Sequence, residues 1–313
     1  MLWNPLSGAI ELGLLYALMA LGVYITFRIL DFPDLTVDGS FTTGAAIAAI
    51  MISNGSSPWV ACLAAFVGGL VAGACTGLLH TKGKINGLLS GILMMIALYS
   101  INMRILDGKP NISLLGADTV FSGLPRKVWE ISSIALVMLV ITIIVKILLD
   151  LFMKTDLGLA LRATGDNKRM IRSFGANTDT TTIIGVSLSN GLVALSGAFI
   201  AQQSGFADIT MGIGMIVIGL ASVIIGEAIF GARTVFRATL AVILGSIVYR
   251  IVVTFALRID WFETSDLKLI TAIIVIIALV FPTVRRVLKQ KSMAKKRSAE
   301  LLGSANPNTG GGR

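Results

Sequence analysis

Nine stretches of 18–24 mostly apolar residues divide this sequence, at 7–27, 36–53, 58–79, 86–105, 130–153, 182–203, 211–231, 235–257 and 267–286. A helix rises 1.5 Å per residue and a bilayer core is about 30 Å thick, so each stretch can cross once. Composition agrees. Of 313 residues, 55% are apolar and 14% charged, against about 25% charged in an ordinary soluble domain. Charge this sparse cannot coat a globule of this size. The expected fold is an all-α, polytopic membrane bundle of about nine spans, with eight or ten within reach of the pattern. A soluble dinucleotide-binding enzyme, a disordered chain and a disulfide scaffold all fit poorly. Cys62 and Cys75 lie in one apolar run, roughly 20 Å apart if it is helical, too far for a bridge.

The net charge of +9 suggests nucleic acid until its distribution is read. The 26 bases alternate between connecting segments: eighteen on one side, six on the other, with Lys146 and Arg250 inside runs. That asymmetry follows the positive-inside rule. It orients the N-terminus outside and the C-terminus in the cytoplasm, which requires an odd number of crossings. No base precedes Arg28, so the first run lacks the basic flank of a secretory signal and is expected to stay. Residues 1–288 form the membrane domain. Residues 289–313 form a basic tail ending in a Gly-, Asn- and Ser-rich stretch that is expected to be disordered.

Small residues mark how the spans pack. Gly69, Gly73 and Gly77 recur every fourth residue and so share one helix face, where a neighbouring backbone can come close. Ser57 followed by Pro58 reads as a helix start, and Pro282 as a kink or stop. A faint repeat relates Asp34-Leu35-Thr36-Val37-Asp38-Gly39-Ser40 to Asp208-Ile209-Thr210-Met211-Gly212-Ile213-Gly214. In the charge-derived topology the two lie on opposite sides, as in an inverted repeat. The outside segment 106–129 is too long for a turn; it is either a solvated loop, a cap on a pathway or a surface for a soluble partner.

An ionisable group in hydrocarbon needs a reason to be there. Lys146 and Asp150, four apart, read as a snorkelling intrahelical pair. Arg250 reads as snorkelling outward, and Glu227 as a partner of Arg233 or Arg237. His80 is the lone histidine, which argues against a zinc site or a His-based triad. Asp31, Asp34 and Asp38, with Pro33 and Gly39, interrupt a helix before it restarts. Asp38 or Ser40 caps the new helix, or the segment dips toward a pathway where free N–H groups meet a substrate carboxylate. Candidates for the pathway are Glu11, Thr36, Asp38, Ser40, Ser189 and Asn190.

The cytoplasmic loop 154–181 carries the most specific pattern. Gly158 and Gly165 read as breaks, Asp166 as the cap of a helix of about eight residues, and Gly175 as its end. Met170 and Phe174, four apart, share a face flanked by Lys168, Arg169 and Arg172. Such a short amphipathic helix lies on lipid, caps its own bundle or enters a groove of a cytosolic partner.

Gly158-x-x-x-Arg162-Ala163-x-Gly165-Asp166-Asn167 leads to Ser189-Asn190-Gly191-Leu192-x-Ala194-Leu195-Ser196-Gly197-Ala198 and then to Gly226-Glu227-Ala228-Ile229-Phe230-Gly231. This pattern resembles the ABC importer permeases for branched-chain amino acids and ribose, and within them the subgroup paired with binding proteins for aromatic amino acids. The resemblance runs from about residue 8 to 285; Glu227 departs from it, since many relatives have Gly there. It implies a type II ABC importer-like bundle in the bacterial cytoplasmic membrane, forming the pathway for a branched-chain or aromatic amino acid. It further implies a separate ATPase subunit, an extracytoplasmic binding protein and a second permease copy, with the pathway between the copies. Gly165, Asp166, Asn167, Lys168, Arg169, Met170, Arg172 and Phe174 match the coupling helix that docks on the ATPase. No cofactor is expected in this chain; ATP and magnesium belong to the ATPase.

The chain itself contains neither a G-x-x-x-x-G-K-[ST] phosphate loop nor a G-x-S-x-G elbow, so no hydrolysis is expected of it. A secondary carrier coupled to ions is the alternative, with Glu11, Asp38 and Glu227 as its only candidate coupling acids. An intramembrane enzyme, lacking a catalytic pair, ranks below both.

Overall fold

The computed structural model describes residues 3–123, 127–128 and 131–257, with single helical positions at 269, 272, 273, 276, 280 and 293. The ninth apolar run, Pro282 and the basic tail thus lie almost wholly outside the described residues. Helix α1 (Trp3–Val23) passes into a π-helical turn (Tyr24–Ile29). Then come α2 (Thr36–Ser53), α3 (Pro58–Thr81), α4 (Gly87–Ile105), the short strands β1 (Asn111–Ser113), β2 (Lys127–Val128) and β3 (Ile131–Ser132), and α5 (Ser133–Phe152). Two short helices follow, α6 (Asp156–Asp166) and α7 (Lys168–Ser173). The chain continues through α8 (Thr178–Ser204), β4 (Phe206–Asp208), α9 (Met215–Phe230) and α10 (Val235–Ala256). Among the described residues seven helices are long and apolar enough to span a membrane, and α9 is a shorter apolar helix.

Helix α8 is the axis. At 27 residues it is about 40 Å long, and α1, α2 and α3 pack along it. Glycine sets the distances. A side chain at Gly69 or Gly73 would collide with the α8 backbone at Asn190 or Val186, and one at Gly77 would come within 2.8 Å of Ile183 Cα. The glycine face read from the sequence is the α3–α8 seam. Gly44 of α2 meets the Ala194 carbonyl and Gly197 of α8 meets the Phe41 carbonyl in the same way. With no hydrophobic force between helices in lipid, such close approach is what van der Waals packing requires. Helix α5 stands off from α3 and α8 across an apolar cleft lined by Leu63, Phe66, Leu70, Leu149 and Leu192.

The contacts are consistent with the charge-derived topology. Strand β1 pairs with β4, Asn111 opposite Asp208 and Ser113 opposite Phe206, so the two segments assigned to the outside meet each other. At the other end Gly165 abuts the Ile29 carbonyl and Lys82 lies 3.7 Å from Asp179, joining three segments assigned to the inside. The outer segment 106–129 is therefore tied down in part: Leu114 N–H donates to Gly205 O at 2.7 Å and Ile209 N–H to Pro110 O at 2.9 Å.

Two helices begin part-way through the bundle. Asp34, just before α2, is bonded to Asn190, which lies twelve residues into α8, about 18 Å from its inner end. Beyond the turn at Ile29 the chain has climbed back into the bundle before α2 starts. Helix α9 starts at a matching depth, since Gly212 packs on the Asp38 carbonyl and Gly219 on Val23. The faint repeat acquires a shared local geometry here. Thr36 N–H donates to Asp34 Oδ1 at 2.9 Å and Thr210 N–H to Asp208 Oδ1 at 2.7 Å, the same Asp-x-Thr turn in both copies. The helices before them, α1 and α8, run in opposite directions.

Candidate functional site

The break before α2 is closed by a polar knot. Asn190 Nδ2 donates to Asp34 Oδ2 at 2.7 Å, and Ser40 Oγ donates to Asn190 Oδ1 at 2.7 Å. Thr36 and Thr76 hydroxyls pair at 2.8 Å. Thr36, Ser40, Thr76 and Asn190 are wholly buried, and Asp34 nearly so. Buried polar groups persist only when satisfied, and here four elements satisfy one another. Neither Asp38 nor Ser40 caps α2, since both lie inside its first two turns and the cap position is Leu35; the first amide of the helix, Thr36 N–H, is instead satisfied by the Asp34 carboxylate.

Asp38 has a different task. Its Oδ2 accepts from Gly214 N–H at 2.9 Å and its Oδ1 from Ile216 N–H at 2.8 Å. A carboxylate from one restarted helix thus occupies the N-terminus of the other, where free N–H groups and the helix dipole favour negative charge. The N–H groups considered for a substrate carboxylate belong to the segment before α2, and there Thr36 N–H already donates to Asp34 Oδ1. Of the remaining pathway candidates, Ser189 Oγ donates to Gly22 O at 2.7 Å, facing α1. Glu11 lies at the outer end, accepting from Ser132 Oγ at 2.6 Å and from Gln203 Nε2 at 3.1 Å. The structure therefore gathers Thr36, Ser40 and Asn190, sets Asp38 and Ser189 on flanking contacts and leaves Glu11 apart. Sequence reasoning passed over Thr76, which carries no signal beyond its place four residues from Ala72 on a glycine-rich face.

Lys146 and Asp150 form the expected intrahelical pair in an unexpected place, and Glu227 and Arg250 have other partners than expected. Lys146 and Asp150 do not snorkel: they are buried at 4% and 7% exposure. They form an ion pair, Thr239 Oγ1 donates to Asp150 at 2.8 Å, and the Lys146 ammonium lies over the Phe236 ring. The pair faces α10, whose approach covers it. Glu227 bonds Arg28 at 3.0 Å rather than Arg233 or Arg237, because the end of α9 packs beside the π-helical turn. Arg250 does not reach outward; its guanidinium carbon sits 4.0 Å from the centre of the Tyr16 ring.

The cytoplasmic loop is more ordered than its glycines suggest. Gly158 and Gly165 do not break it; both lie within α6 and permit close backbone contact with Phe152 and Ile29. The cap of α7 is Asn167, whose Oδ1 accepts from Met170 N–H at 3.0 Å, not Asp166, and α7 is six residues long, not about eight. Gly175, at φ +84°, ends the segment. Arg172 anchors it by donating to Thr178 Oγ1 at 2.7 Å and to Asp179 at 3.0 Å. Met170 and Phe174 remain exposed, at 47% and 78%. A fixed helix thus presents two apolar side chains to the cytoplasmic side, ringed by Lys168 and Arg169. Gly165 is the exception in the docking set, since its face is against Ile29.

Comparison with known proteins places these features. Residues 6–280 match the family model described as the permease component of branched-chain amino acid transport systems. The chain is 49% identical over 274 residues to a tyrosine transport system permease protein of Clostridioides difficile, covering 87% of this chain and 90% of that one. It is 31% identical over 186 residues to the autoinducer 2 import permease LsrC of Salmonella typhimurium, covering 57% and 50%. To the ribose import permease RbsC of Escherichia coli it is 26% identical over 201 residues, covering 61% and 59%.

Proposed function

The chain belongs to the permease family of branched-chain amino acid transport systems, a multi-pass, non-enzymatic subunit of the bacterial cytoplasmic membrane, and from that membership we propose the finer reading that it conducts an amino acid, aromatic first, under the drive of a separate ATPase. Import of a small solute is the family's business; tyrosine enters because a relative carries that name across nearly its whole length. The observation that carries the proposal is the exposed Met170–Phe174 face on an anchored α7. An exposed aromatic costs little to bury against a partner and gains about 25 cal/mol per Å2 when buried. Its basic flank suits an acidic rim.

The mechanism follows from the anchoring. Force applied at α7 passes through Arg172 to the first turn of α8, and through Gly165 to the turn at Ile29. Helix α8 carries the knot that holds the restarted α2, and Asp38 links α2 to α9. The ATPase would bind ATP and magnesium; this chain supplies the lever and the conduit. A second permease copy and an extracytoplasmic binding protein complete the assembly. The carboxylates named for an ion-coupled carrier, Glu11, Asp38 and Glu227, and the buried Asp34 and Asp150 as well, are each held by hydrogen bonds or an ion pair, so no observation favours that reading.

The test is co-purification with a cognate ATP-binding cassette ATPase co-expressed with this chain. Met170→Asp with Phe174→Asp should abolish recovery of the ATPase while leaving the unfolding midpoint of the permease nearly unchanged, because both side chains stand exposed. Undiminished recovery from the double variant would overturn the docking assignment.

A further inference from the structure

Arg250 is the exception among the membrane-embedded charges. Asp38, Lys146, Asp150 and Glu11 each have polar partners. Arg250 Nε is buried without an acceptor, and the guanidinium has no hydrogen bond or ion pair among the described residues; its contact is with the face of Tyr16. Tyr16 is in turn stacked on Phe41 of α2, centroids 6.3 Å apart and planes 6° from parallel. The depth follows from register. Ser246 Oγ donates to Gly13 O at 2.9 Å, which sets α10 beside α1, and Tyr16 lies ten residues inside the Leu6 end of its span. Arg250 lies six residues before the Ala256 end of α10, so its backbone sits roughly 9 Å below the outer end and its side chain reaches the Tyr16 ring from there.

A cation at that depth is costly, and such charges mark the route of a counter-charge. Guanidinium presents a planar fork that matches a carboxylate, and an aromatic face holds it flat without consuming its N–H donors. Tyr16 thus orients Arg250 without using its N–H donors, which have no hydrogen bond among the described residues. The Tyr16–Phe41 stack ties this position to α2, the helix that Asp38 couples to α9. We propose that Arg250 is the transit site for the carboxylate of the transported solute, with Tyr16 as its positioning residue. The site lies on the outer side of the level at which α2 and α9 begin, so a solute bound there precedes the part of the bundle that must move. This rests on the reading of the chain as a conduit for amino acids and adds the group that recognises them.

The test uses the assembled transporter in lipid nanodiscs, with phenylglyoxal as a guanidinium reagent and peptide mass analysis at residue 250. Arg250 should react, and millimolar L-tyrosine or L-leucine should slow that reaction at least threefold, whereas the amine tyramine should not. In vesicles, Arg250→Gln should lower uptake at least tenfold with ATP hydrolysis and the unfolding midpoint retained, and Arg250→Lys should recover part of it. Absence of reaction at Arg250, equal protection by tyramine, or wild-type uptake by Arg250→Gln would each overturn the proposal. Failure of the wild-type assembly to take up any amino acid would instead refute the proposed function; the protection pattern is scored separately from it.

Discussion

Replacing Asn190 by Ala should unlock the middle of the bundle. The amide makes three bonds there: to Asp34, from Ser40, and to the Val186 carbonyl. Truncation leaves the Asp34 oxygen and the Ser40 hydroxyl buried without this partner. A bond to a charged group is worth about 1.5–3 kcal/mol and a neutral one about 1 kcal/mol. Membrane proteins recover part of such losses, since measured interhelical bonds average about 0.6 kcal/mol with a maximum near 1.7. The expected cost is thus about 2–3 kcal/mol, a shift of roughly thirty- to two-hundred-fold in the folding equilibrium. Reversible unfolding in mixed SDS micelles, followed by circular dichroism, measures it. A cycle with Ser40→Ala separates the terms: the two losses should be strongly non-additive, because each removes the same Ser40–Asn190 bond. A cost below about 0.5 kcal/mol for Asn190→Ala, or full additivity with Ser40→Ala, would refute the view that this knot holds the restarted helix.

Other substitutions probe separate contacts. Lys146→Met should cost about 3–5 kcal/mol by stranding Asp150 beneath α10, and the pair Lys146→Met with Asp150→Leu should recover most of that in the same unfolding assay. Gly44→Ala should destabilise by about 1–3 kcal/mol, because the new methyl meets the Ala194 backbone; Gly8→Ala, with nothing nearby, should be neutral or slightly stabilising. Glu227→Gln should change stability by less than about 1 kcal/mol, since Arg28 is largely exposed.

What the sequence made legible was whatever repeats or counts. Apolar run length found the seven spans seen among the described residues, and the four-residue glycine spacing identified the α3 face that meets α8. The short helix α7 and its exposed face were visible because Met170, Phe174 and Gly175 have local consequences. Long-range partners were not. Whether Lys146 reaches lipid or α10, or whether Glu227 meets Arg28 or Arg233, depends on which helices become neighbours, and apolar periodicity is silent on that. The caps show the same limit at short range. Asp34 and Asp38 are equally good capping residues, and only the packing of Asn190 against one and Gly214 against the other assigns them. The Asp-x-Thr repeat lay between these cases, too short to weigh alone yet given the same turn in both copies.

The most direct measurement of the central claim is accumulation of labelled L-tyrosine in sealed proteoliposomes, with and without the ATPase subunit and the binding protein. Concentrative uptake should require both partners and ATP. Uphill accumulation by vesicles holding this polypeptide alone, under any ion gradient, would contradict it.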